Sequence, residues 1–215
     1  MDKDRYKITR ARLIAELKSR KVETAKCLFL VKGSKLYPEN DADTNYTPLK
    51  YEENIQYLFG IKKEDVDGMI DLDTGKSYLI SADPTPDDFF ISKFLNRDDA
   101  VNVYGADDFV YHSGLKELIS KLGPQRIYIY KGVDTNSDHW SNYYDRPDII
   151  ESFKDIIDED TMYPVLNELR CIKNKEELNL FREICRISSA AHVSCMQFCV
   201  PGLWEYQIAA LFMVS

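Results

Sequence analysis

Leu13, Ile14 and Leu17 recur at helical spacing among charged residues, so the hydrophobic pattern predicts a first helix over residues 8–20. Cys27-Leu28-Phe29-Leu30-Val31 is a short, continuous apolar run that stops before Gly33, the pattern of a strand covered on both faces. The polar, turn-rich stretch 34–48 reads as a loop, and 51–59 as a helix ended by Gly60. Residues 69–80 fold back through Asp73-Thr74-Gly75-Lys76, a hairpin signal between apolar segments.

Further along, Leu115, Leu118, Ile119 and Leu122 fall on one helical face that Gly123-Pro124 ends, and Arg126-Ile127-Tyr128-Ile129-Tyr130 alternates as a strand does. Pro147 opens another helix, with Ile149, Ile150, Phe153, Ile156 and Ile157 as its apolar stripe. Helices and strands alternate, which predicts an α/β fold with a mixed sheet flanked by helices. The acidic stretch 155–160 closes that pattern, and 162–173 reads as extended because Pro164 is unwelcome inside a helix. The predicted domains are therefore 1–160 and 161–215. In the second, Asn174 caps a long helix to about Cys199, Pro201-Gly202 breaks it, and 203–215 starts another.

Composition narrows the partners. The 215 residues are 44% apolar and 12% aromatic, enough for a genuine core. A net charge of −8, with Lys and Arg scattered, argues against a nucleic-acid partner. The first residues, Met1-Asp2-Lys3-Asp4-Arg5, are charged and lack the apolar core of a secretory signal, and no run of apolar residues is long enough to span a bilayer. With five cysteines, an odd and unevenly spaced set, the expectation is a soluble, cytoplasmic protein with reduced thiols and no membrane partner.

Candidate chemistry is sparse. Asp134-Thr135-Asn136-Ser137-Asp138, with Asp145 further on, imitates a calcium loop, but His139 stands where such a loop needs glycine, so a solvated loop is the reading. Cys185, His192, Cys195 and Cys199 share one helical face with zinc-like chemistry, yet they continue the stripe of Leu178 and Phe181 and read as a packed seam. The pairs Asp41/Asp43, Asp65/Asp67 and Asp71/Asp73 are spaced for a divalent ion but have no His or Glu at useful sequence spacing, so turn roles are expected. No phosphate loop, nucleophile elbow or His-Glu-x-x-His motif occurs. By chemistry alone, no catalytic or metal-binding residue is assigned.

Several strings nonetheless stand in a telling order. Tyr57-Leu58-Phe59-Gly60-Ile61, the hairpin Ile70-Asp71-Leu72-Asp73-Thr74-Gly75-Lys76-Ser77, and Lys131-Gly132-Val133-Asp134-Thr135-Asn136-Ser137 resemble the N-terminal domain of prolidases, the Xaa-Pro dipeptidases of the creatinase and aminopeptidase P group. Leu166-Asn167-Glu168-Leu169-Arg170-Cys171-Ile172-Lys173, Glu176-Glu177-Leu178, Ser188-Ser189-Ala190-Ala191-His192 and Pro201-Gly202 resemble the entry into the catalytic domain of the same enzymes.

That resemblance implies an N-terminal α/β domain over 1–160 and, over 161–215, a linker with the opening helices of a "pita-bread" catalytic domain. It implies a homodimeric hydrolase of dipeptides with C-terminal proline. Two manganese ions, held by two Asp, one His and two Glu, would activate a water and stabilise the oxyanion. Those ligands follow the second helix of the catalytic domain, so none is expected within 1–215, and the chain alone is expected to bind no metal and to be inactive. His192 corresponds to a residue on the first helix of that domain, upstream of the metal strands. The resemblance also places Phe90, ahead of Ser92-Lys93-Phe94, where prolidases carry a tryptophan that lines the partner's substrate site. Phenylalanine keeps an apolar face for a proline ring but loses the indole donor; the alternative is that Phe89 and Phe90 pack over the sheet. Alternatives for the whole chain are a non-catalytic dimerisation or regulatory module, or the N-terminal part of an aminopeptidase P or creatinase.

Overall fold

The structure is a computed structural model that describes residues 3–34, 51–85, 95–133, 140–141, 144 and 146–215. The predicted loop 34–48, apart from Ser34, lies outside the described residues, as do Asp41, Asp43, Phe90 and the calcium-like string 134–139. The chain divides into two compact units, Met1–Leu169 and Arg170–Ser215.

In the first unit, helix α1 (Lys3–Ser19) leads into β1 (Cys27–Val31), α2 (Glu53–Phe59), β2 (Val66–Asp71) and β3 (Ser77–Ser81). Helix α3 (Arg97–Asn102), β4 (Asp108–Tyr111), α4 (His112–Leu122) and β5 (Arg126–Ile129) follow. The short pair β6 (Gly132–Val133) and β7 (Trp140–Ser141), helix α5 (Pro147–Phe153), β8 (Ile157–Asp158) and α6 (Met162–Cys171), whose last two residues fall past Leu169, complete it. Among the described residues the main sheet has six strands in the order β4-β3-β2-β1-β5-β8. β2 is antiparallel to both β1 and β3, while β4, β5 and β8 pair parallel to their neighbours. The mixed sheet of the sequence reading is thus observed, with one reversed strand among parallel ones.

The apolar run of β1 has the expected cause. Alternate side chains of a strand face opposite ways, and both faces are covered here. Cys27, Phe29 and Val31 join Leu13 and Leu17 of α1, Ile55 and Leu58 of α2, and Val165 and Leu166 of α6. Leu28 and Leu30 join Leu115 and Ile119 of α4 and Ile149 of α5. At about 1.5–3 kcal/mol for each large apolar side chain removed from water, β1 is the strand on which both layers depend. The hairpin forms as predicted: Asp71 Oδ1 accepts from the N–H groups of Asp73 and Thr74, and Asp71 Oδ2 from the Thr74 hydroxyl. Gly60, in the left-handed conformation at φ 72°, ends α2 and donates its N–H to Gln56 O.

Two expectations are corrected. Residues 162–173 are not extended: α6 runs Met162–Cys171, and its buried Met162, Val165, Leu166 and Leu169 form a helical stripe. Pro164 lies in the first turn, where a helix lacks an N–H partner anyway, so the proline starts the helix rather than breaking it. Helix α5 also stops at Phe153; Lys154–Ile156 is a 3-10 turn, and Ile157 leaves the predicted stripe to pair with Ile127. Strands β4 and β8 go beyond the sequence reading.

Tyr128 on β5 is 1% exposed and donates its hydroxyl to Glu23 O at 2.8 Å. Burial, with the neighbouring Cys27 second, pushes its pKa up to about 12. A phenol in an unfolded chain ionises near 10. The raised folded value means that the neutral phenol contributes stability fully present below about pH 10 and lost as pH rises from there through about 12. Tyr128→Phe is expected to flatten the decline of unfolding free energy across that window, followed by urea titrations at stepped pH. Equal slopes for the two proteins would refute the assignment.

In the second unit, helix α7 (Lys175–Phe198) begins with a reciprocal cap. Asn174 Oδ1 accepts from the Glu177 N–H at 2.8 Å, and Glu177 Oε2 accepts from the Asn174 N–H at 2.8 Å. Helix α8 (Glu205–Val214) is apolar along most of its length, and Trp204, Tyr206, Met213 and Val214 are each more than two-thirds exposed. No described helix is long and apolar enough to cross a membrane.

Candidate functional site

The reversal of β2 brings its first residues to the same sheet edge as the carboxyl ends of β1 and β4. Val31 pairs with Gly68, and Ser81 pairs with both Val66 and Tyr111. In open α/β sheets this carboxyl edge is where ligands bind. Here it holds a cavity of about 70 Å³ lined by Lys32, Gly33, Ser34, Asp65, Asp67, His112 and Arg146.

Each wall has a local reason for its position. The chain after β1 runs against the start of β2: the Asp65 N–H donates to Ser34 O at 2.7 Å, and the Gly33 N–H donates to Asp67 Oδ1 at 2.7 Å. A side chain at position 33 would meet Val66 O at 1.9 Å, so only glycine permits this approach. The other Asp67 oxygen, Oδ2, lies 3.6 Å from His112 Nε2, and this nitrogen is buried without a hydrogen-bond partner. His112 begins α4 directly after β4, and the turn is fixed by Asp83, which accepts from the Ser113 N–H at 2.9 Å and its hydroxyl at 2.5 Å. The Ser113 hydroxyl holds the Asp83 carboxyl below its ordinary pKa. Arg146 Nε and Nη2 each reach an oxygen of Asp148 at 3.2 Å, which lowers the Asp148 carboxyl's pKa. A second, open recess of about 420 Å³ runs along β4, lined by Arg97, Phe109, Val110, Tyr111, Ser113 and Gly114.

Asp71 and Asp73 serve turns, the latter accepting from the Lys26 N–H at 3.1 Å. Asp65 has φ 52° and precedes the strand on which Asp67 sits. Asp67 has a histidine beside it all the same: His112 is distant in sequence and arrives through the sheet order. The seam on α7 is looser than expected. Cys185 and Cys199 are exposed, and Cys195 is half-buried with its Sγ donating to Ile208 O at 3.7 Å. The exposed His192 stands edge-on to Phe212, with ring centres 4.9 Å apart. All five cysteines are free. Among the described residues no three His, Cys, Asp or Glu side chains converge to hold a metal ion.

Residues 6–130 match the model of the aminopeptidase P N-terminal domain. The chain belongs to this family. Over 208 residues it is 25% identical to the Xaa-Pro dipeptidases of Rattus norvegicus and Homo sapiens, an overlap covering 96% of this chain and 42% and 41% of theirs. A probable Xaa-Pro aminopeptidase of Ajellomyces capsulatus is 28% identical over 182 residues, 82% of this chain and 33% of its own. Thus the chain spans less than half the length of these relatives. The fold is also that of Pseudomonas aeruginosa aminopeptidase PepP, with a TM-score of 0.76 at 20% identity, over 100% of this chain and 48% of that one. Zinc-substituted Escherichia coli aminopeptidase P in complex with product gives 0.73 at 18% identity, over 100% of this chain and 49% of that one.

Proposed function

We propose that this chain is the amino-terminal portion of a prolidase-type Xaa-Pro dipeptidase. In this reading residues 1–160 are the family's N-terminal domain, and 161–215 are a linker and the helices that open the catalytic domain. The observation that carries it is collinear similarity to Xaa-Pro dipeptidases over 96% of the chain, well past residue 130 where the family match ends. The whole enzyme is a cytoplasmic homodimer that uses two manganese ions to hydrolyse dipeptides with C-terminal proline. Its metal would supply an activated water and a Lewis acid for the scissile carbonyl. The described residues of this chain do not fit that role, since no three metal-ligating side chains converge, and no catalytic step is assigned to them. Free cysteines support a reducing compartment. Phe90 forms an apolar wall of the partner subunit's substrate site.

Incubation of the 215-residue chain with glycyl-proline and manganese is expected to give no turnover. The same assay on a chain extended with the following catalytic sequence is expected to give manganese-dependent release of proline, with a raised KM in its Phe90→Ala variant. Turnover by the 215-residue chain would refute the reading. The match to a fungal Xaa-Pro aminopeptidase favours a second reading, an aminopeptidase P, in which the extended enzyme cleaves longer peptides with proline in second place and spares the dipeptide.

A further inference from the structure

The cavity at the carboxyl edge of the sheet is independent of any catalytic assignment. It contains a carboxylate oxygen of the largely buried Asp67, Oδ2, and a buried imidazole nitrogen, His112 Nε2, set 3.6 Å apart. That separation is beyond a hydrogen bond, yet a third atom can lie within bonding distance of both. We propose that the Asp67–His112 cavity is a binding site for ordered water, in which one molecule donates to Asp67 Oδ2 and bonds His112 Nε2.

The charges around the cavity select this occupant. An anion would meet Asp65 and Asp67, and a cation would meet Lys32 and Arg146. Metal chelation is disfavoured as well, because no three ligating side chains converge there. What the walls accept is a neutral species that both donates and accepts. A buried water needs about 10–15 Å³ of such space and two to four polar partners, and about 70 Å³ lined by Gly33, Ser34, Asp67, His112 and Arg146 provides both. The volume suits about two waters at about 30 Å³ each. The site then has a structural consequence: it completes the hydrogen bonding between β2 and the first turn of α4, with the Gly33 N–H already committed to the other Asp67 oxygen.

A high-resolution crystal structure of the 215-residue chain tests this, with a second data set from crystals soaked in bromide. The expected result is a solvent peak within hydrogen-bonding distance of Asp67 Oδ2 and His112 Nε2 and no anomalous signal. In solution, the Gly33 amide proton should show a cross-peak to long-lived water that His112→Leu abolishes while the amide spectrum stays folded. A direct Asp67–His112 hydrogen bond with the cavity closed would overturn the proposal. So would a bromide peak at the site, which would make it an anion site, or a water cross-peak unchanged in His112→Leu.

Discussion

Arg10→Ala is expected to lower the unfolding free energy by about 3–5 kcal/mol, since two buried carbonyls lose their donor at about 1–3 kcal/mol each, with some packing loss besides. Arg10 is 3% exposed, on the face of α1 that also buries Leu13 and Leu17. Its Nη1 donates to Leu58 O and its Nη2 to Gly105 O, each at 2.9 Å. Leu58 lies in the last turn of α2, where carbonyls lack intrahelical partners and a cation suits the helix dipole. One guanidinium thus ties α1 to the end of α2 and to the turn before β4, with the Phe59 ring 5.0 Å from its carbon. Burial pulls its pKa down to about 10, so it stays charged at neutral pH. A domain typically has about 5–15 kcal/mol in total, and the loss should appear as a clearly earlier urea midpoint with an unchanged slope. Arg10→Lys should recover less than half, because a point charge does not reproduce a planar fork with two acceptors. A loss below about 1 kcal/mol in the alanine variant would mean that solvent or a repacked neighbour satisfies both carbonyls.

Arg10 also shows where sequence reading stops. Apolar periodicity located α1 from Leu13, Ile14 and Leu17, but a buried arginine carries no hydrophobic signal and reads as part of a solvated face. The β1 run, the hairpin at Asp73-Thr74-Gly75 and the cap at Asn174 were legible because each is decided by neighbours in sequence. The α6 stripe is masked in sequence by Pro164, because proline breaks a helix interior but is tolerated in the first turn where it lies. His112 was invisible as Asp67's neighbour for a different reason. It reaches the cavity only because β3 lies between β2 and β4 and β4 runs straight into α4, a relation that belongs to the strand order. The family resemblance gives no hint of this cavity, which is made of residues outside the quoted strings.

Gly33→Ala is expected to be the second severe change, costing about 3 kcal/mol or more, at the upper end of what overpacking does. The cause is contact rather than backbone conformation. An added Cβ would lie 1.9 Å from Val66 O, 2.6 Å from Val66 C and 3.3 Å from Asp67 N. These are backbone atoms of β2 at its junction with the sheet, so no flexible side-chain end can move aside. Relief requires the segment after β1 to part from β2. That movement stretches the 2.7 Å bond from the Gly33 N–H to Asp67 and leaves a buried carboxylate short of a donor. Gly123→Ala is the informative comparison. It places a side chain at φ 58° with nothing within 4 Å, so it bears only the left-handed backbone cost of about 1–2 kcal/mol. If close approach governs position 33, its variant should be the less stable of the two by urea denaturation and should lose hydrogen-exchange protection at the Gly33 amide. Asp67→Asn should weaken the same amide's protection without the steric loss. Equal stabilities for the Gly33 and Gly123 variants would mean that β1 and β2 yield easily at this edge, and that the cavity between them is not held by backbone contact.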